Sequence, residues 1–184
     1  GIYAVLVIPP FYYKPQSDES VLRYYAELIA SVDDPLLRIV FYNFPKLSGY
    51  NFSLRILQEL KQRFGNIAAG IKDSSGDWDN MLSITKKVPD FMVYSGTETF
   101  LLDILREGGA GCITASANVL APECQLVFNA WKNNQEDAAA QAQEKLSVLR
   151  KALESYPFVA ELKGLLAEHS GSNDWKQMLP PFSP

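Results

Sequence analysis

The chain has 184 residues, 47% of them hydrophobic, and a formal net charge of -4, which supplies one sizeable core with room for a helical appendage and excludes a disordered chain. A pI near 5.1 and the absence of any Lys/Arg run deny it the basic footprint that nucleic acid or an anionic membrane needs. Cys112 and Cys124 stand too far apart for a metal-binding knuckle, the lone His169 leaves no partner for a histidine triad or zinc site, and no apolar run reaches transmembrane length, so a metal-free protein of the reducing cytoplasm is expected.

The opening run YAVLVIP, residues 3–9, is apolar throughout, as a strand covered on both faces would be. It starts abruptly and without an initiator Met, which suggests a missing upstream part. From Ser17 to Val32, a stripe of Val21, Leu22, Tyr25, Leu28, Ile29 and Val32 predicts a helix, with Ser17 as N-cap and Asp18 and Glu19 in its first turn. LRIVFYN (37–43) is a second strand, and Leu54, Leu57, Leu60 and Phe64 mark a helix over 53–64. NIAAGIK (66–72) is a third strand, followed by a helix from about Asp77 to Lys87. FMVYSG (91–96) gives a fourth, and the helix after it closes at Gly108 and Gly109. GCITAS (111–116) is the fifth, and Pro122 opens a helix that reaches about Asn133. Beyond Gln135, strong helix formers predict helices over 136–156 and 158–171, before an irregular, proline-rich surface tail, MLPPFSP, at 178–184.

Five strand-helix units in succession require a parallel sheet. A doubly wound sheet would place a glycine-rich phosphate loop after its first strand, whereas IPPFYYKPQ (8–16) holds no glycine. The expected fold class is therefore α/β, the last five units of a (β/α)8 TIM barrel over residues 1–133, with a C-terminal helical extension over 134–184.

Sites in such folds form at the carboxyl ends of strands, where Lys72 closes the third strand and Tyr42 the second. An apolar pocket favours a neutral amine, and a neutral lysine attacks carbonyls; the iminium so formed is an electron sink at which a carbon-carbon bond is made or broken. A nearby phenol can relay the protons. The plainer alternatives are a rim lysine paired with Asp73 or Asp77, a core tyrosine, and a turn, DSSGD (73–77), whose N–H groups hold an anion at a helix start.

YNFP (42–45), GIKDSSGD (70–77), SGTE (95–98) and GGAGCITASAN (108–118), in this order, resemble the dihydrodipicolinate synthase and N-acetylneuraminate lyase family, the pyruvate-dependent Schiff-base aldolases. VLVIPPFYYKP, ELKGLLAE and LPPFSP extend the resemblance over the whole chain. The resemblance implies Lys72 as Schiff-base lysine, Tyr42 as proton-relay tyrosine, Tyr12 acting near a neighbouring subunit's site in a homodimer or homotetramer, and no cofactor. It also implies substrate contacts from Leu47, Ser74, Gly96, Thr97, Glu98, Ile113 and Thr114.

Two departures matter. The family's three preceding strand-helix units, with the stretch that holds the keto-acid carboxylate, have no counterpart here, so a fragment of a longer enzyme is the expectation; as a whole molecule the chain would leave the barrel unclosed, two sheet edges open and the carboxylate clamp lost. Leu47 stands where a dihydrodipicolinate synthase carries an arginine, while the acidic pair and serine of the neuraminate lyases are matched by Glu98-Thr99 and Ala115. The reading that follows is an aldolase or lyase joining pyruvate to an aldehyde, on a 2-keto-3-deoxy sugar acid or a related hydroxylated 2-oxo acid. The alternatives are dihydrodipicolinate synthase itself and a catalytically incomplete relative that only binds a keto acid.

Overall fold

A computed structural model describes residues 2–154 and 158–180. The chain forms two compact units, Gly1–Thr97 with Asp103–Cys112, and Glu98–Leu102 with Ile113–Pro184.

The first unit runs β1 (Val5–Val7), α1 (Asp18–Val32), β2 (Ile39–Asn43), α2 (Pro45–Ser48), α3 (Leu54–Phe64), β3 (Ala68–Asp73), α4 (Trp78–Lys87), β4 (Met92–Ser95), α5 (Leu101–Arg106, which begins at the unit boundary) and β5 (Gly111–Cys112). The five strands form one parallel sheet in the order β1-β2-β3-β4-β5. This unreversed order is that of a barrel wall; a doubly wound sheet would reverse direction at a switch point.

The helices start where the sequence offers caps. Ser17 and Ser20 form a reciprocal capping box at 3.2 Å in each direction. Ser53 and Asp77 accept from backbone N–H groups of the first turns of α3 and α4. One helix was not anticipated: α2, four residues long, with Pro45 in its first turn and Gly49 closing it at φ +69°.

Strand alternation gives the sheet two unlike faces. Phe41, Ile71 and Val93 stand in register on one of them and are completely buried. Tyr25 of α1 meets Phe41 edge-on at 4.8 Å between ring centroids, and Phe52 lies 5.9 Å from Phe41. Ile56, Leu57 and Leu60 of α3 and Ile84 of α4 are also fully buried, each side chain contributing roughly 1.5–3 kcal/mol by its removal from water. Gly70 allows β3 and β4 to approach closely, since a Cβ there would stand 2.2 Å from the Met92 carbonyl oxygen.

β1 and β5 are shorter than their apolar runs predict. Only Val5–Val7 and Gly111–Cys112 pair, and the residues beyond Cys112 leave the ladder for turns.

The second unit contains α6 (Ala117–Lys132), α7 (Glu136–Leu153) and α8 (Phe158–Ser170). α6 begins five residues before Pro122, where the sequence placed its start; Leu120, at φ -111°, ψ 19°, breaks the helical geometry just ahead of the proline. Val127 and Leu146 anchor the α6 and α7 core at full burial. Of the helix predicted over 136–156, residues 155–156 lie outside the described residues, as do 181–184 of the predicted tail.

Candidate active site

The sheet's second face carries the chemistry. Parallel pairing sets Tyr42, Lys72 and Tyr94 side by side on β2, β3 and β4, near the carboxyl ends of all three strands. Lys72 Nζ lies over the Tyr42 ring, 4.1 Å from its centroid, and Phe44 stacks beside Tyr42 at 5.7 Å between centroids. Amine and phenol therefore occupy one half-buried, aromatic-walled position.

Neither neighbouring carboxylate pairs with the lysine. Buried Asp73 accepts from the Ser75 N–H at 2.8 Å and from Asn80 Nδ2 at 3.3 Å. Asp77 accepts from the Asn80 N–H at 3.0 Å as the cap of α4. Among the described residues, Lys72 makes no ion pair and no hydrogen bond, and its only contact of this kind is the Tyr42 ring.

The turn that follows Lys72 is tied down from within. The Ser74 N–H donates to Asn43 O at 2.8 Å, the Asp77 N–H to Ser75 Oγ at 3.1 Å, and the Gly96 N–H to Asp73 O at 2.7 Å. Donors engaged in this way are not offered to an anion, which weakens the reading of DSSGD as an anion cradle. Gly96 is required by closeness: a Cβ there would come within 2.0 Å of Ser74 Oγ.

In the first unit, Ser74, Gly96 and Thr97 therefore gather at the ends of β3 and β4. Leu47 sits on α2, immediately beyond β2, 45% exposed. Tyr12 lies on the turn after β1, 82% exposed and meeting Tyr13 edge-on at 5.0 Å. Glu98, Ile113 and Thr114 belong to the second unit. There Glu98 is fully buried, accepting from Thr114 Oγ1 at 2.8 Å and from Ser116 Oγ, while Arg150 Nη1 donates to Ser116 Oγ at 3.3 Å.

One residue in the lysine's row escaped the sequence reading. Tyr94 pairs in register with Lys72, and its hydroxyl donates to Met92 Sδ at 3.3 Å. Burial raises the Tyr94 phenol above the ordinary tyrosine value, with Tyr3 adding to the effect. The alternation of FMVYSG was a usable signal, because it puts Tyr94 opposite in facing to Val93, but the register with Lys72 was not readable from one strand alone.

Fold and site together define a parallel β/α-repeat protein with an amine, unpaired among the described residues, at a strand end beside a phenol. The chain belongs to the Dihydrodipicolinate synthetase family, whose profile matches residues 1–184. A 4-hydroxy-tetrahydrodipicolinate synthase of Listeria welshimeri is 35% identical over 167 residues, 90% of this chain and 55% of that protein. Among solved structures, YagE, a prophage protein of the dihydrodipicolinic acid synthase family from E. coli K12 in complex with pyruvate, is 29% identical with a TM-score of 0.87, covering 100% of this chain and 61% of that one. The 2-keto 3-deoxygluconate aldolase of Picrophilus torridus is 26% identical with a TM-score of 0.85, covering 100% of this chain and 64% of that one. The chain thus spans less than two thirds of the length of each of these relatives, and its five-stranded parallel α/β fold matches that part of their TIM barrels.

Proposed function

We propose that this chain carries the Schiff-base site of a class I aldolase or lyase, which makes or cleaves the carbon-carbon bond between pyruvate and an aldehyde. The observation that carries the reading is Lys72 Nζ, without an ion pair or hydrogen bond among the described residues, 4.1 Å from the Tyr42 ring centroid.

In this proposal the neutral Lys72 amine adds to the keto carbon of pyruvate, and Tyr42 moves protons while the carbinolamine loses water to give the iminium. Loss of a proton from the adjacent methyl carbon gives the enamine. That carbon attacks the aldehyde, whose oxygen takes up a proton, and water releases a 4-hydroxy-2-oxo acid and regenerates the lysine; a lyase runs the same steps in reverse. The lysine is the electron sink, so the sequence requires no metal or organic cofactor. Tyr12, exposed in this chain, assists the relay in a homodimer or homotetramer.

The substrate favoured is a 2-keto-3-deoxy sugar acid or a related 4-hydroxy-2-oxo acid. Leu47, an uncharged side chain on α2 just beyond β2, supports it, since the family resemblance puts at this place in dihydrodipicolinate synthases an arginine that binds a second carboxylate. The Picrophilus aldolase neighbour supports it as well. The Listeria relative favours the second reading, 4-hydroxy-tetrahydrodipicolinate synthesis.

Incubation with pyruvate and borohydride, read by mass spectrometry, tests the chemistry: a reduced adduct on Lys72 is expected, absent in Lys72→Ala. An adduct on another lysine, or none, overturns the proposal. Pyruvate release from 2-keto-3-deoxygluconate, set against condensation of pyruvate with aspartate semialdehyde, decides between the two substrates.

A further inference from the structure

Each of the three central strands ends on a buried polar residue. Asn43, Asp73 and Ser95 pair in register on β2, β3 and β4, one step beyond Tyr42, Lys72 and Tyr94 and facing the opposite way. All three are at most 2% exposed, so their polar atoms need partners inside the protein. Asn43 and Ser95 find them in the loops that follow: Asn43 Oδ1 accepts from the Phe52 N–H at 3.2 Å, and Ser95 Oγ from the Thr97 N–H at 3.2 Å.

Asp73 reaches further. One of its carboxylate oxygens accepts from the Ser75 N–H at 2.8 Å in the turn, and the other from Asn80 Nδ2 at 3.3 Å in the first turn of α4. Its backbone carbonyl accepts from the Gly96 N–H at 2.7 Å, just past the end of β4. A single residue thus joins the end of β3 to the turn, to the next helix and to the next strand. Neutral donors supply all three bonds, which makes the carboxylate a geometric brace and not the partner of a cation.

The residue before this brace is Lys72. Its amine lies 4.1 Å from the Tyr42 ring centroid, with no hydrogen bond or ion pair among the described residues. Only the ring contact holds the tip of the side chain, so its place is set chiefly from the backbone at the end of β3. Misplacing a reacting group by about 1 Å can cost about a hundredfold in rate. We propose, resting on the Schiff-base reading, that Asp73 is a positioning residue for Lys72: its carboxylate clamps the end of β3 to the turn and to α4, which keeps the amine over the Tyr42 ring.

The test is the first-order rate constant for adduct formation on Lys72 at saturating pyruvate, read by timed borohydride quenching and mass spectrometry. Asp73→Ala removes both carboxylate bonds and should lower it about tenfold or more; Asn80→Leu removes only the bond to α4 and should lower it about threefold or more. The half-saturating pyruvate concentration should stay within about twofold of the parent's. Asp73→Asn should hold close to the parent rate, because its amide keeps both bonds once the Asn80 amide turns to accept. Ile71→Ala is the control for lost stability alone, and below its unfolding midpoint it should trap at the parent rate. Circular dichroism verifies folding, and Asn80→Leu decides the matter should Asp73→Ala fail to fold. A parent chain that traps nothing ends the Schiff-base reading and the positioning role with it. A parent that traps, with a folded Asp73→Ala or Asn80→Leu as fast as it is, with losses no larger than in Ile71→Ala, or with Asp73→Asn as slow as Asp73→Ala, overturns the positioning role alone.

Discussion

The two faces of the central strands use the same backbone for opposite ends. On one, Phe41, Ile71 and Val93 and, one step on, Asn43, Asp73 and Ser95 are all at most 2% exposed, and Asn43 and Asp73 spend their polar atoms on loop N–H groups and on the amides of Asn51 and Asn80. On the other, Tyr42, Lys72 and Tyr94 are half-buried, and the amine is left without a hydrogen bond or ion pair among the described residues. The contrast teaches that the closed face holds the geometry so that the open face can leave an amine without a hydrogen bond or ion pair among the described residues.

Four predictions sharpen or break this contrast. The largest effect belongs to Lys72→Ala: the borohydride-trapped adduct should vanish altogether, while urea unfolding moves by no more than about 2 kcal/mol, because the contact with the Tyr42 ring is lost but no ion pair or hydrogen bond among the described residues. A large loss of stability would mean that the open face also holds the fold together. Tyr42→Phe keeps the ring under the amine and removes only the hydroxyl. Imine formation, followed by timed quenching with borohydride, should slow by about 10²–10⁴-fold, with stability unchanged; an unaltered rate would assign the relay elsewhere, and Tyr94→Phe would then be the next variant to measure.

On the closed face the signs reverse. Ile71→Ala removes a fully buried side chain and should cost about 2–5 kcal/mol in urea unfolding, yet below its midpoint the folded protein should still trap pyruvate. The smallest effect concerns pH. Tyr25 and Tyr50 both have phenols raised above the ordinary tyrosine value, by burial first, then by Tyr24 and Tyr50 for Tyr25 and by the hydrogen bond to Asp18 for Tyr50. The folded state therefore favours the protonated phenols, so their contribution is whole below the unfolded value of about 10 and is lost as pH climbs above it. Thermal midpoints measured from about pH 8 to about pH 11 should fall over the last unit or so, and less steeply in Tyr50→Phe; a flat profile would show that the phenols ionise equally well folded and unfolded.

Much of this was legible in the residues. Continuous apolar runs located all five strands, and Ser17, Ser53 and Asp77 marked helix starts, because caps and periodicity are local properties. Lys72 stood out for an equally local reason, a cation closing an apolar strand. What was hidden depends on contacts distant in sequence. The row of Tyr42, Lys72 and Tyr94 needs the register of three strands, and the shortness of β1 and β5 depends on which residues find partners. Sequence alone offers Asp73 as a partner for the lysine, and only the fold shows its oxygens spent on Ser75 and Asn80. The short α2 helix and the break at Leu120 arise where a proline's restrictions meet tertiary packing.

The tied-down turn after Lys72 has a consequence for how fast its amides trade protons with solvent. Ser74, Ser75 and Gly96 each donate to an acceptor 2.7–2.8 Å away, so their exchange should be governed by opening of the sheet's end, not by loop breathing. A loop already locked in this way has little conformational freedom left to surrender when a small molecule arrives beside it. Deuterium uptake over residues 74–77 should therefore be nearly the same before and after pyruvate is trapped, the mark of a site built in advance of its ligand.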